Sequence, residues 1–168
     1  MFIGFPLAKE VTANQMDTQM IEIMGRNRLI DELLRAGLEV ALPLRDRGID
    51  LIAYVDLTDQ VSAFVACPIQ MKAASGRSFS ISRKHEKFAN LIYAYVWGLS
   101  STEDAATYAL TYPEAVAVGD AMRYTVTPSW KAGTYSTQRP SEKLVALLQP
   151  HRMTSERWRQ KILNLPSS

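Results

Sequence analysis

Asp50, Gln70 and Lys72 are the residues whose types and spacing could support chemistry. Asp50 lies in the apolar segment GIDLIAYVD, where an isolated carboxylate is costly unless it is paired, hydrogen-bonded or bound to a metal. Gln70 and Lys72 are two residues apart in the strand-like segment PIQMKA, so their side chains share one face of the strand. The intervening Met71, like Ile69, points the other way into the core. If the two segments form neighbouring strands, the three polar side chains converge on one point.

The chemistry that this trio suits is metal-assisted hydrolysis. A carboxylate oxygen and an amide oxygen are ligands for a hard cation, and we expect Mg²⁺ or Mn²⁺. Such a cation polarises a phosphate and lowers the pKa of a bound water, while Lys72 orients that water and offsets developing charge. In the alternative interpretation Lys72 extends into solvent and Asp50 pairs with Arg45 or Arg47.

A helix over residues 17–36 must position the first strands. Asp17 or Thr18 can cap its start, and Gly37 suits the left-handed position that closes a helix. Gly25 inside this helix indicates a close approach to a neighbouring element. The face predicted to be buried carries Met20, Ile23, Met24, Asn27, Ile30 and Leu34 at steps of three and four.

The segments after the helix alternate between strands and helices, which predicts an α/β fold with a mixed central sheet flanked by helices. Pro68 cannot donate a ladder hydrogen bond, so a bulge or an edge is expected there. Strands are predicted at 38–42, 48–56, 61–73, 78–82, 91–99 (the central one) and 107–111. Helices are predicted at 83–89, from Pro113 onward, at 141–148 and at 155–165, with a loop at 124–140.

The composition is that of one domain. The 168 residues carry 19 Lys and Arg against 17 Asp and Glu, a net charge of +2 that permits nucleic-acid binding without demanding it. We expect a single domain over 1–168, with a core at about 17–123 and a loop and helical extension at about 124–168. His85 and His151 have no further His or Cys at ligand spacing, so a zinc site is not expected.

The compartment predicted is the cytoplasm. Cys67 is the single cysteine and excludes an intrachain disulfide, so its expected role is a small buried hydrophobe in a strand. The longest strongly apolar stretch, 91–99, is about half of a membrane span. The opening MFIGFPLAKE lacks the basic region of a signal peptide.

The pattern RAGLEVALP, RGIDLIAYVD and PIQMKAAS resembles the core of the PD-(D/E)XK phosphodiesterase superfamily. It is most similar to the branch of Holliday-junction-resolvase-like and uncharacterised bacterial proteins, in which the second motif often reads Q-x-K. The resemblance covers residues 20–82 and implies a restriction-endonuclease-like α-β-β-β-α-β core, a divalent metal and phosphodiester cleavage. Asp50 then matches the motif aspartate, Gln70 replaces the second carboxylate, and Lys72 is the motif lysine.

The first helix departs from this family pattern. The family commonly has a glutamate about eleven residues before the glycine that matches Gly37, and Arg26 stands at that spacing. Glu22, one turn earlier, is the expected substitute, and Asp31 is a second candidate. Asp50 with a neutral Gln70 would hold Mg²⁺ weakly, so either a carboxylate has moved or cleavage has been lost.

Two hypotheses for the function follow. The first is a divalent-metal-dependent nuclease acting on DNA; the second is a catalytically silent relative that binds nucleic acid or a protein. An unrelated α/β domain is the third interpretation and requires Asp50 and Lys72 to lie far apart. We expect DNA as partner, no membrane contact, and consider a homodimer. Predicted nucleic-acid contacts are Arg77, Arg83, Lys84 and Lys87, with the alternative of an ordinary solvated helix face.

Overall fold

Helices and strands alternate along the chain, as the pattern of apolar residues predicts. The computed structural model describes residues 17–45, 47–56, 64–101 and 105–165. The strands are β1 (Glu39–Ala41), β2 (Leu51–Tyr54), β3 (Ala66–Ala73), β4 (Phe79–Ser82), β5 (Ile92–Trp97), β6 (Ala106–Thr111) and β7 (Thr134–Thr137). The α-helices are α1 (Thr18–Arg35), α2 (Tyr112–Ala121), α3 (Pro128–Lys131), α4 (Glu142–Leu148) and α5 (Ser155–Leu163). Short 3₁₀ helices cover Arg83–His85, Tyr124–Val126 and Gln149–His151.

Within the described residues, five strands form a mixed sheet in the order β1-β2-β3-β5-β6. β1, β2 and β3 pair in antiparallel fashion, β5 runs parallel to β3, and β6 is antiparallel to β5. The predicted mixed sheet with flanking helices is confirmed. The crossover between β3 and β5 contains β4 and the 3₁₀ helix Arg83–His85, where the sequence predicted an α-helix over 83–89.

Each face of the sheet packs on its own hydrophobic layer. Residues of α1 and α5, among them Leu29, Leu33, Trp158 and Ile162, are fully buried against one face. The small sheet of β4 and β7 lies with α2 and α4 on the other face, where it contacts Tyr93, Tyr95 and Trp97 of β5. β5 is therefore buried on both sides, as its uninterrupted apolar sequence predicts.

α1 begins and ends where the sequence predicts, but its buried face is different. Asp17 accepts a hydrogen bond from the Met20 amide at 2.7 Å, and Gly37 adopts a positive φ of 72° after the last turn. The predicted stripe is wrong for most of its residues, since Met20, Ile23, Met24 and Leu34 are exposed and Asn27 lies on the same outer side, while Ile30 is half-buried and packs against the core. The residues of α1 that are buried are Gly25, Leu29 and Leu33.

Gly25 explains why this other face was selected. A Cβ atom at Gly25 would lie 2.6 Å from the Cβ of Ala73, at the end of β3. Only a residue without a side chain lets α1 approach the strand this closely. The close approach brings the first turns of α1 to the end of β3, next to the residues singled out by the sequence.

The predicted loop at 124–140 is instead structured. It contains the 3₁₀ helix Tyr124–Val126, α3 and β7, and the rings of Tyr124 and Tyr135 stack at 3.9 Å with an angle of 16° between their planes. β7 pairs with β4, a partner that is distant in sequence. The turn-forming residues of this segment favoured the prediction of a loop, whereas β7 forms through its tertiary contact with β4.

The C-terminal helices complete the core. The Trp158 indole Nε1 donates to Glu32 Oε2 of α1 at 3.1 Å, and Leu144 and Leu148 of α4 are buried on the opposite face of the sheet. The division into a core at 17–123 and an extension at 124–168 stays a prediction. Among the described residues, no helix has the length and apolar character needed to cross a membrane.

Candidate functional site

The candidate site lies where β2 and β3 separate. Asp50 immediately precedes β2, and its backbone N–H donates to the Ile69 carbonyl at 2.9 Å. The register of the two strands runs from the pair Leu51 and Ile69 toward Tyr54, so β3 continues past this point without β2 beside it. Asp50 Oδ2 accepts the Met71 N–H at 2.6 Å and thereby satisfies a backbone donor that a longer β2 would have bound.

The same carboxylate oxygen binds Gln70. Gln70 Nε2 donates to Asp50 Oδ2 at 2.5 Å, and the Gln70 side chain is buried. Two hydrogen bonds to one carboxylate oxygen fix its position. Asp50 and Gln70 approach each other as the sequence predicted, but Asp50 lies just before β2 and not within a strand.

Lys72 and Glu22 line the same cavity as Asp50. This cavity has a volume of about 350 Å³ and lies between the start of α1, the end of β3 and the small β4–β7 sheet. Glu22 reaches it from α1, with about half of its side chain exposed to solvent. Its remaining polar lining is contributed by Thr18, Ser78, Ser80, Ser136 and Gln138. A carboxylate from the first helix is therefore present at the site, although Arg26 has the spacing usual for the family.

Arg26 binds this carboxylate and is not seated on Asp50. Its guanidinium Nη2 lies 2.5 Å from Glu22 Oε1, one helical turn away. Asp31, the other predicted substitute, pairs with Arg35 at 2.8 Å on an exposed side of α1 and does not line the cavity. Of the two candidates, Glu22 alone lies with Asp50.

Arg45 and Arg47, the alternative partners of Asp50, are both exposed. The hydrogen bonds that Asp50 Oδ2 accepts come from Gln70 and Met71. Because these two donors also belong to β3, the carboxylate is held by the strand that carries Lys72.

A buried histidine that the sequence did not connect to the site lies behind it. His85 Nδ1 is 2.5 Å from the Tyr93 hydroxyl, and Tyr93 stands opposite Gln70 in the parallel β3–β5 register. Burial, together with the positive charges of Lys84 and Lys72, lowers the pKa of His85 to about 4. His85 is accordingly neutral at pH 7. The sequence carried no signal that His85 lies behind the site, because His85 is an isolated histidine in a polar segment.

Gly48 lies where the side chains of Gln70, His85 and Lys84 come close together. Its φ of 93° favours glycine, and a Cβ there would stand 3.6 Å from Gln70 Oε1, 3.8 Å from His85 Nε2 and 3.9 Å from Lys84 Nζ. The turn before Asp50 therefore places Gln70, Lys84 and His85 around one point. Lys84, predicted as a nucleic-acid contact, lies beside Gln70.

The other three predicted nucleic-acid contacts lie in different surroundings. Arg77 is exposed and lines cavities on the far side of the loop after β3. Arg83 lies near Tyr112 at the start of α2, where its charge opposes the rise that burial causes in the pKa of that hydroxyl. Lys87 Nζ is 5.1 Å from the centre of the Phe88 ring. The four residues thus do not share one helix face.

Two carboxylates line the candidate cavity. Asp50 and Glu22 contribute them, and no group of three or more His, Cys, Asp or Glu side chains suited to a metal occurs among the described residues. Mg²⁺ commonly takes one or two protein carboxylates and completes its shell with phosphate oxygens and water. Asp50 and Glu22 are therefore the residues that could hold a divalent cation here.

No family model and no curated protein matches this chain. A comparison with solved structures finds a bacterial homing endonuclease at 14% sequence identity, with a TM-score of 0.46. The alignment covers 88% of this chain and 92% of that chain. A TM-score below 0.5 does not establish a common fold, and the site is therefore interpreted from its own geometry.

Proposed function

We propose that this protein is a divalent-metal-dependent nuclease that cleaves DNA phosphodiester bonds at a PD-(D/E)XK-type site. The observation that supports this most is one cavity lined by Asp50, Lys72 and Glu22, at the point where β2 leaves β3. Two carboxylates and an ammonium group around a water-accessible cavity suit the hydrolysis of a phosphate ester.

The two carboxylates have different roles in the proposal. Asp50 is held rigidly by Gln70 Nε2 and the Met71 N–H, so its carboxylate presents a fixed charge to the cavity. Glu22 is half exposed and carried by α1, so it can adjust to a ligand. A bound Mg²⁺ or Mn²⁺ supplies Lewis acidity toward a phosphate oxygen and a water of lowered pKa.

Lys72 provides the positive charge on the protein side. Its place two residues after Gln70 on β3 directs it to the cavity that Asp50 lines. An ammonium group there attracts the phosphate and offsets the charge that grows on its oxygens during cleavage. The neutral His85 does not compete with Lys72 for the phosphate, because it carries no charge at pH 7.

Gln70 positions Asp50 in this account. A glutamate at this place would set two negative charges within hydrogen-bonding distance, whereas the amide donates a hydrogen bond to Asp50 at 2.5 Å. The pair keeps a single negative charge next to Lys72. Gln70 therefore orders Asp50 when no cation is bound, whereas a glutamate at this position would add more to the affinity for a metal.

A cleavage assay with a matched control tests the proposal. Plasmid, branched and single-stranded DNA are incubated with the protein in Mg²⁺, in Mn²⁺ and in EDTA. Cleavage is expected with either metal and not in EDTA, and Asp50→Asn should abolish it. Asp31→Asn removes an equal charge from the exposed side of α1 and should leave the rate unchanged. Equal rates for the two variants would contradict the proposed site.

A second candidate is a silent DNA-binding protein, and the Arg26–Glu22 ion pair is the observation in its favour. The guanidinium at 2.5 Å competes with a cation for the Glu22 carboxylate. Arg26→Gln removes this competitor while keeping a polar side chain on the helix. The nuclease proposal predicts an equal or higher cleavage rate for Arg26→Gln. DNA binding without cleavage in both wild type and Arg26→Gln would favour the silent protein.

A further inference from the structure

The candidate site opens into a continuous groove. A middle cavity of about 410 Å³ adjoins the site cavity, and the two share Thr18, Ile21, Ala73, Ser78 and Gln138. A distal cavity of about 470 Å³ in turn shares Ser75, Gly76 and Arg77 with the middle one. The groove therefore runs from Asp50 past the loop after β3 to Arg152, which lines the distal cavity.

We infer that this groove binds a single strand of DNA leaving the candidate site, and that Arg77 and Arg152 hold one of its phosphates in the distal cavity. The inference rests on the proposed function for the chemistry at Asp50, and adds the path of the substrate. Arg152 was not among the nucleic-acid contacts that the sequence suggested. It enters because the fold brings the chain after α4 beside the end of β5.

Two guanidinium groups line the distal cavity. They belong to Arg77 and Arg152, and the further polar contacts among the described lining residues are the hydroxyl groups of Ser75, Ser100 and Ser101 and the amide of Gln149. Arg152 is exposed. Guanidinium groups bind phosphate oxygens through paired N–H donors. The cavity thus offers the donors that a phosphodiester needs.

Arg77 forms an ion pair with Glu142 at the rim of the distal cavity that is weak enough for a phosphate to displace it. Arg77 Nη1 lies 3.3 Å from Glu142 Oε1, and these side chains are 53% and 89% exposed. Exposed pairs of this kind contribute little to stability because water and salt screen them. A phosphate can replace Glu142 at Arg77, and Glu142 then acts as a competitor that limits the affinity for DNA.

The groove wall beside the distal cavity is a rigid support. The Gly98 N–H donates to the Gly76 carbonyl at 2.8 Å, and Ser100 binds the Ser75 carbonyl with both its N–H and its hydroxyl, at 3.1 and 2.9 Å. A Cβ at Gly76 would meet no atom within 4 Å, so the loop surface is open to a ligand. A fixed and open wall suits a strand that is gripped by its backbone.

The size and lining of the groove favour an unpaired strand read without base specificity. Each cavity has the volume of a pocket for a small ligand, roughly 300–1,000 Å³, which admits single nucleotides. Trp97 and Tyr108 line the distal cavity but are only 3% and 4% exposed, so they offer little ring surface for stacking. Binding should therefore depend on phosphates more than on bases.

Fluorescence anisotropy in EDTA tests the groove apart from cleavage. A labelled single-stranded oligonucleotide is titrated with wild type, Arg77→Ala, Arg152→Ala and Arg35→Ala over a range of salt concentrations. Each lost phosphate contact should reduce the slope of log K against log salt by about 0.7. We expect this reduction for Arg77→Ala and Arg152→Ala, and unchanged binding for Arg35→Ala, which removes an equal charge at the other end of α1. Glu142→Gln should bind more tightly than wild type.

The outcomes separate this inference from the proposed function. Equal salt slopes for Arg152→Ala and Arg35→Ala would overturn the groove, even if metal-dependent cleavage is found. Wild type that fails to bind the strand would overturn it as well. Reduced slopes for the two groove variants would support the groove even if no DNA is cleaved, in which case the nuclease proposal alone fails.

Discussion

Gln70 donates a hydrogen bond from its side-chain amide to the Asp50 carboxylate across the junction of β2 and β3, with 2.5 Å between Nε2 and Oδ2. The contact joins two residues that are 20 positions apart in the chain. It makes the acid of the candidate site dependent on a neutral neighbour. The charge at residue 70 should therefore control both the stability of the fold and the affinity for a cation.

Gln70→Glu should lower the melting temperature in EDTA and enlarge its rise on addition of Mn²⁺. The introduced carboxylate repels Asp50 when no cation is present, and a bound cation relieves the repulsion and stabilises the native state by mass action. Thermal melts with and without millimolar Mn²⁺ measure both effects. Gln160→Glu on α5 is the control and should show the wild-type response. Asp50→Ala should lose the Mn²⁺ response, and a wild-type-sized response in Asp50→Ala would show that the ion binds elsewhere.

Gly25→Ala should destabilise the protein although alanine is the better helix former. The new Cβ would lie 2.6 Å from the Ala73 Cβ, so α1 must move away from β3. Overpacking costs about 1–3 kcal/mol, against a gain of about 1 kcal/mol in helix propensity. The free energy of unfolding in urea measures the balance.

Gly76→Ala provides the comparison for this prediction, because a Cβ there meets no atom within 4 Å. It should leave the free energy of unfolding nearly unchanged. A more stable Gly25→Ala variant would mean that α1 and β3 are not in close contact.

Stability should fall as the pH is lowered from about 6.5 to about 4, in part because of His85. Burial and the charges of Lys84 and Lys72 lower its pKa to about 4, whereas an unfolded chain takes up the proton near 6.5. Between these values the unfolded state binds more protons, so the free energy of unfolding decreases with falling pH. Urea denaturation from pH 4 to 7.5 measures this slope.

His85→Gln should flatten the slope in that window. Some pH dependence should persist, because the pKa of His151 is also lowered, mainly by burial. Identical slopes for wild type and His85→Gln would mean that the pKa of His85 is not lowered in the native state.

Local sequence signals predicted the bounds of α1 and the pairing at the site. Asp17 and Gly37 are short-range cap signals that need no tertiary partner, and the helix ends beside them. Asp50 and Gln70 were predicted to converge because Gln70 and Lys72 share one face of a strand and the segment of Asp50 was expected to form the neighbouring strand. Both inferences rest on geometry within one element or one strand pair.

The features of the fold that the sequence did not predict depend on tertiary contacts. The buried face of α1 was set by the packing of Gly25 on Ala73, which outweighed a more apolar stripe that stays exposed. β7 forms because β4 lies beside it, and Arg152 reaches the groove only through the folding of the C-terminal segment. The contribution of Glu22 followed from the first of these contacts, since the correct face of α1 directs it to the cavity.

The most direct test of the central claim compares Lys72→Ala with wild type in a metal-dependent DNA cleavage assay, with Mn²⁺ binding measured on the same samples. Loss of a group that stabilises transition-state charge typically costs on the order of 10²–10³ in rate. Lys143→Ala, which removes an exposed lysine of α4 that donates to the Ala121 carbonyl, is the matched control. We predict that Lys72→Ala loses cleavage by this factor or more while it still binds Mn²⁺, and that Lys143→Ala cleaves at the wild-type rate. Cleavage by Lys72→Ala at the wild-type rate, or no cleavage by wild type on any DNA with either metal, would contradict the account.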